Sequence, residues 1–166
     1  MIKILTATIE TTGRTGRRQA EREAALRLVR GWFGSDATIA HREDGAPYVE
    51  GRGEYISVSH CADQCVVAVS DAPVGVDVET RRAQLLKIAP RFLTPREQAE
   101  IGSLGELDRD SQLDLLLHYW TAKEAVFKCA SLPDLVISEI EVTLTTACDI
   151  LDPRAVSTQL ASRTAS

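Results

Sequence analysis

The segment from Gln112 to Ala130 reads as one long helix whose apolar stripe contains a carboxylate. Leu113, Leu117, Trp120 and Phe127 recur at spacings of four, three and seven. Glu124 falls inside that stripe. Burying an unpaired carboxylate is costly, so Glu124 needs a proton, a cationic partner or a metal ion. A helix of this length has to lie on a core, and 166 residues are enough to build one. The chain fits one domain, or two small halves packed together.

A second run of acids lies upstream. Val74-Gly75-Val76-Asp77-Val78-Glu79 alternates as a strand does, with Asp77 and Glu79 on one face and the valines on the other. Three acids on two regular elements point to a divalent-cation site for phosphoryl chemistry.

The rest of the chain supports an α+β reading. Residues 2–9 alternate as a strand, closed by Thr11-Thr12-Gly13. Residues 16–33 suit a helix with Ala25, Leu28, Val29, Trp32 and Phe33 on one face. Residues 37–41 and the stretch near Tyr48 and Val49 predict short strands around the turn Asp44-Gly45-Ala46-Pro47. Tyr55–Ser59 and Cys65–Ser70 predict a hairpin across His60–Gln64. Residues 84–92 look helical, and Thr94-Pro95-Arg96-Glu97 carries the N-cap, N1 proline and N3 glutamate that open another helix. Ile137 to Thr145 alternates as a last strand, and residues 160–166 predict a disordered tail. A loose echo between 2–70 and 74–145 suggests two similar α/β halves packed as a pseudo-twofold, with a ligand cleft between them. The halves divide as 1–72 and 73–150, followed by a tail over 151–166.

A net charge of −5 argues against a general nucleic-acid binder. Arg14, Arg17, Arg18, Arg22, Arg27 and Arg30 nevertheless cluster in the first helix, which allows one local anion site on an acidic protein. The start Met1-Ile2-Lys3-Ile4-Leu5 lacks a signal peptide's apolar run, and no stretch approaches the roughly 20 apolar residues of a membrane span. The expectation is a cytoplasmic protein. Cys61, Cys65, Cys129 and Cys148 lack the paired spacing of a zinc site and read as free thiols.

Four segments taken together resemble the 4′-phosphopantetheinyl transferases of the Sfp type. They are Ile56-Ser57-Val58-Ser59-His60, the Gly75–Glu79 run, Phe92-Leu93-Thr94-Pro95-Arg96-Glu97, and Trp120-Thr121-Ala122-Lys123-Glu124-Ala125-Val126-Phe127-Lys128. The family is marked by a Ser-His pair, a Gly-[IV]-Asp-[IVL]-Glu run and a Trp-[ST]-x-Lys-Glu-[AS]-x-x-Lys helix, and all three occur here in that order. The resemblance spans roughly residues 14–145.

The resemblance implies transfer of the phosphopantetheine arm of coenzyme A to a serine of an acyl or peptidyl carrier protein, with 3′,5′-ADP released. Asp77, Glu79 and Glu124 would hold Mg²⁺, or Mn²⁺ in its place, against the diphosphate. Glu124 is the favoured base, and Asp77 is counted with it in the catalytic group. Lys128, one turn along, reaches the same phosphates. Ser59 and His60 grip coenzyme A phosphate; Arg22, with Arg18 as substitute, is the candidate for the 3′-phosphate. The expected partners are a carrier protein and coenzyme A, without nucleic acid or membrane, for a monomer. Docking candidates for the carrier are the helix around Pro95–Leu104, with Phe92 and Leu93.

Two departures stand out. The family's Gly-Lys-Pro turn is Gly45-Ala46-Pro47 here, which leaves a phosphate contact missing or supplied by Arg42 or Arg52. The chain is short after residue 145, which leaves the second half open to being a reduced version of the family's. These departures motivate an alternative, a non-catalytic carrier-protein-binding module of the same fold. A metal-dependent phosphohydrolase is a third, weaker reading.

Overall fold

The computed structural model describes residues 1–10, 16–132 and 134–144. Strand β1 (Ile2–Thr8) leads to helix α1 (Arg17–Phe33). Strands β2 (Ile39–His41), β3 (Pro47–Val49), β4 (Tyr55–Cys61) and β5 (Gln64–Ser70) follow. Helices α2 (Gln84–Phe92), α3 (Pro95–Ser103) and α4 (Arg109–Ala130) make up the second part, which closes with a 3₁₀ turn at Ile137–Glu139. Among the described residues the architecture is α+β: one antiparallel five-stranded sheet, in the order β1-β5-β4-β3-β2, with four helices.

Alternation along β4 and β5 sorts side chains onto two faces. Ile56, Val67 and Val69 join Ala20, Ala24, Ala25 and Val29 of α1 in a first core. The small alanines let the helix sit close to the sheet. Trp32, expected on that inward face, is instead 46% exposed, and Phe33 packs against the core in the last turn. The expected hairpin is present but tighter than predicted. Its strands pair as far as Cys61 and Gln64, leaving only Ala62 and Asp63 at the turn, with Ala62 at φ 50°.

The opposite face of β4 carries Ser57 and Ser59. Here the structure corrects an expectation, because residues 74–79 form no strand. The segment runs parallel to β4 in steps of two, but over its face. The N–H groups of Val76 and Val78 donate to the hydroxyls of Ser57 (3.1 Å) and Ser59 (3.2 Å). Side-chain oxygens replace the backbone ladder, so the segment is anchored without becoming part of the sheet. Helix α4 then lies on this segment. The expected strand over 137–145 is also absent: Ile137–Glu139 is the 3₁₀ turn, and residues 140–144 pair with no strand among the described residues. Thr11 to Thr15, Cys148 and the tail lie outside the described residues.

A second core holds Leu85, Phe92, Leu93, Leu113, Leu116, Tyr119, Val126, Ile140 and Val142. Phe92 meets Trp120 edge to face, with ring centroids 5.1 Å apart. Phe92 and Leu93 are therefore interior residues, which removes them as a carrier-docking surface. The buried face of α4 is also rotated from the expected stripe. It runs Leu113, Leu116, Tyr119, Lys123 and Val126, whereas Leu117 and Trp120 are only half-buried and Phe127 is exposed.

Lys123 and Glu97 lie fully buried in this core, 2.7 Å apart. Glu97 also accepts from the N–H groups of Thr94 and Val142, both at 2.8 Å, and Lys123 donates to the carbonyl of Ile140. The capping box expected at Thr94 is present, and its glutamate doubles as the counter-ion of the buried lysine. Both carboxylate oxygens are engaged, which is the condition for tolerating a buried ion pair.

Candidate active site

Gly75 sets how closely α4 approaches the 74–79 segment. A β-carbon there would meet the carbonyl oxygen of Ala125 at 1.8 Å and the Cys129 nitrogen at 2.8 Å. Only glycine permits this backbone-to-backbone contact. It places Asp77 beside the last two turns of α4.

Lys128 is the junction of the site. Its Nζ donates to Asp77 Oδ1 (2.7 Å), to the Val76 carbonyl (3.2 Å) and to Ser59 Oγ (3.2 Å). Ser59 in turn donates to Asp77 Oδ1 at 2.8 Å. The Ser59 hydroxyl is thus buried and committed to Asp77, Val78 and Lys128.

Glu124 shares this environment. Burial pushes its carboxyl above the usual range, the Asp77 charge pushes it further, and Lys128 offsets part of the rise. Glu79 has its own partners. Its Oε1 takes hydrogen bonds from Cys61 Sγ (2.6 Å), Arg82 (2.6 Å) and the Thr80 N–H (2.8 Å). Burial raises the Glu79 pKa, but these hydrogen bonds and the Arg82 charge outweigh it, so the net shift is downward. Glu124 therefore feels the Asp77 charge, while Glu79 is engaged by Cys61, Arg82 and the Thr80 N–H. Among the described residues, no three His, Cys, Asp or Glu side chains gather as one metal-holding group.

A cleft of about 1300 Å³ opens next to Lys128. Its walls come from α1, the turn between β2 and β3, β4, and the end of α4. Arg18, Arg22, Arg42, His60 and Lys128 line it, so its charge is locally positive on an acidic chain. The helix arginines divide by role. Arg17 pairs with Glu21 (2.8 Å), Arg27 donates to the Thr8 carbonyl (2.9 Å), and Arg30 to the Ala37 carbonyl (3.2 Å). Arg18 and Arg22 face the cleft. Arg42 lies over the rings of Tyr48 (5.8 Å) and Tyr55 (6.0 Å). Arg52 instead caps the Phe33 carbonyl at 3.1 Å. Arg14 lies outside the described residues.

Sequence reasoning passed over two members of this site. Glu21 sits between Arg18 and Arg22 on α1 and stands 3.4 Å from Nδ1 of His60; the signal was a lone acid on a basic helix face. Cys61 donates its thiol to Glu79, a contact that no local pattern shows. Among the described residues no helix is long and apolar enough to cross a membrane.

Residues 73–154 match the model of the 4′-phosphopantetheinyl transferase superfamily. A 4′-phosphopantetheinyl transferase of Bacillus subtilis is 31% identical over 90 residues, covering 54% of this chain and 39% of that protein. The 4′-phosphopantetheinyl transferase Sfp of Bacillus subtilis (strain 168) is 28% identical over 95 residues, covering 57% and 41%. The transferase psf-1 of Bacillus pumilus is 36% identical over 74 residues, covering 45% and 30%. The matched stretch thus spans about two-fifths or less of each relative. The Gly75–Glu79 run, the Trp120–Lys128 helix, the family match and the Sfp-like relatives agree: over residues 73–154 the chain matches the 4′-phosphopantetheinyl transferase superfamily.

Proposed function

We propose that this chain transfers the 4′-phosphopantetheine group of coenzyme A to a serine of an acyl or peptidyl carrier protein, releasing 3′,5′-ADP. One observation carries this reading. Lys128 joins a cation-lined cleft to a carboxylate pair, with its Nζ 2.7 Å from Asp77. A phosphorylated ligand in the cleft brings its reacting phosphorus to the acids through that lysine. The two recognisable halves of the reading are 1–72, with the cleft arginines, and 73–150, with the acids. We take them as the family's pseudo-twofold pair, in a cytoplasmic monomer.

Mg²⁺ suits the residues present. It is commonly held by one or two carboxylates together with substrate phosphates and water. Asp77 and Glu124 are two partly buried acids, and the Asp77 charge raises the cost of ionising Glu124, a cost that a cation held by these residues would relieve. Glu79 joins them only by releasing Arg82. When bound, the ion neutralises diphosphate charge. The chain's own residues do the rest. Arg18, Arg22, Arg42 and His60 hold the anionic groups of coenzyme A, and Lys128 orients the phosphate beside Asp77. The Glu124 carboxylate accepts the serine Oγ proton as the new phosphoester bond forms and 3′,5′-ADP leaves. Its raised pKa suits it to that role.

The test is incubation with coenzyme A, Mg²⁺ and apo carrier proteins, read by intact mass. The expected gain is about 340 Da, the mass of the transferred group in this reaction class. No gain on fatty-acid, polyketide or nonribosomal-peptide carriers rejects the reading. The engagement of Glu79 by Cys61 and Arg82 favours the second reading, a non-catalytic carrier-binding module. Coenzyme A binding indifferent to Mg²⁺ would support that module.

A further inference from the structure

A carboxylate inside an anion-binding cleft repels the ligand the cleft is built for. Glu21 is such a group. It lines the cleft together with Arg18, Arg22 and His60, and its side chain is 11% exposed. Its surroundings explain why it is there. Glu21 Oε1 receives Arg17 Nε at 2.8 Å and stands 3.4 Å from His60 Nδ1. The guanidinium of Arg17 also donates to the carbonyl of Ala62, at the turn that follows β4. Ala62 holds a left-handed φ of 50°. The Ile9 N–H donates to the neighbouring Asp63 carbonyl at 2.6 Å. The first turn of α1 and the tip of the hairpin are therefore fastened together, with His60 and Glu21 between them.

We propose that Glu21 is a positioning residue for His60. It keeps the imidazole in the tautomer that carries its hydrogen on Nδ1, directed at the carboxylate. In that arrangement Nε2 is the ring nitrogen left for the ligand. When the ring is protonated Nε2 donates to a phosphate oxygen, with the second hydrogen still on the Glu21 side. Neutral imidazole in water prefers its hydrogen on Nε2, so an unconstrained ring would point differently. Arg17 screens Glu21, and this limits the repulsion the carboxylate exerts on the ligand. The role in ligand binding rests on the coenzyme A reading above.

Two measurements test it. The first is a double-mutant cycle on coenzyme A binding by calorimetry, with Glu21→Ala, Glu21→Gln, His60→Ala and the double variant E21A/H60A. Glu21→Ala alone should weaken binding roughly fivefold to tenfold, and Glu21→Gln, whose amide oxygen still accepts the Nδ1 hydrogen, by less than about threefold. On the His60→Ala background, removing Glu21 should cost nothing or improve binding, because only the repulsion is then lost. An equal loss from Glu21→Ala on both backgrounds, or no loss on either, overturns the proposal. The second measurement is the ¹⁵N spectrum of His60 in the full chain without ligand, above the titration of the ring. A shift from the Nδ1–H to the Nε2–H tautomer in Glu21→Ala supports the proposal; an unchanged tautomer overturns it. Absence of coenzyme A binding by the native protein defeats the transferase reading, while the spectrum still decides the geometry.

Discussion

A β-carbon on Gly75 would lie 1.8 Å from the carbonyl oxygen of Ala125. Because the clash is with backbone, no rotamer change relieves it, and either helix or segment has to move. Gly75→Ala should cost about 2–4 kcal/mol in urea unfolding and displace Asp77 from Lys128. Gly31 is the control. It lies on the exposed side of α1, where an added β-carbon would meet nothing within 4 Å. Gly31→Ala should raise stability by about 0.5–1 kcal/mol through helix propensity. Equal losses at both positions would refute the close-approach account.

Glu124 trades stability for chemistry. Its folded pKa lies above the ordinary 4.5 because of burial and then of Asp77. The folded state therefore binds the proton more tightly than the unfolded chain. Stability is highest below pH 4.5 as far as this group is concerned, and falls as pH rises from there through the folded pKa. Glu124→Gln should flatten that slope, raise stability at pH 7 and abolish transfer. Thermal melts from pH 4 to 8 and the mass assay check the two halves of this expectation. A loss of stability at pH 7 would contradict it.

Lys123→Met should be among the most damaging substitutions in the chain. It leaves Glu97 charged, fully buried and without its cation, at a cost of about 3–5 kcal/mol. The double variant K123M/E97Q should recover part of the loss, since an amide oxygen still accepts from a backbone N–H. Denaturation of the two single variants and the double variant gives the comparison. A double variant as unstable as the sum of the singles would show that the pair is not coupled.

The Ala46 turn supplies no charge, and the geometry separates the two arginines that remain. Arg42 lines the cleft over Tyr48 and Tyr55, while Arg52 is spent on the Phe33 carbonyl. Arg42→Ala should weaken coenzyme A binding about tenfold, and Arg52→Ala should leave it near native. Calorimetry on the two variants reads this directly.

What was legible in the sequence was local. Alternation located β1, two runs flanking the His60–Gln64 turn located β4 and β5, and the Thr94–Glu97 pattern located the start of α3, because strands, turns and caps are written in adjacent residues. The rotation of α4 was not legible. Lys123 reads as a polar position until Glu97, from another helix, arrives to neutralise it. The 74–79 segment has a strand's pattern but no ladder. Its partners are the hydroxyls of Ser57 and Ser59, and side-chain anchors leave no period of their own. The arginines of α1 looked alike. Only the carbonyls of Thr8 and Ala37 show which of them hold the scaffold and which face the cleft.

Lys123 and Glu124 are consecutive, so they leave the helix about 100° apart. The first is locked to Glu97 inside the second core and the second lies within the field of the Asp77 charge. The lock works as a key in a shaft: it fixes the angle at which α4 is seated, and with it the aim of the carboxylate. Improving the interior and tuning the acid are therefore one engineering problem. A repacking on the side of α2 and α3 that turned the helix by a fraction of a residue would misalign a group it never touches.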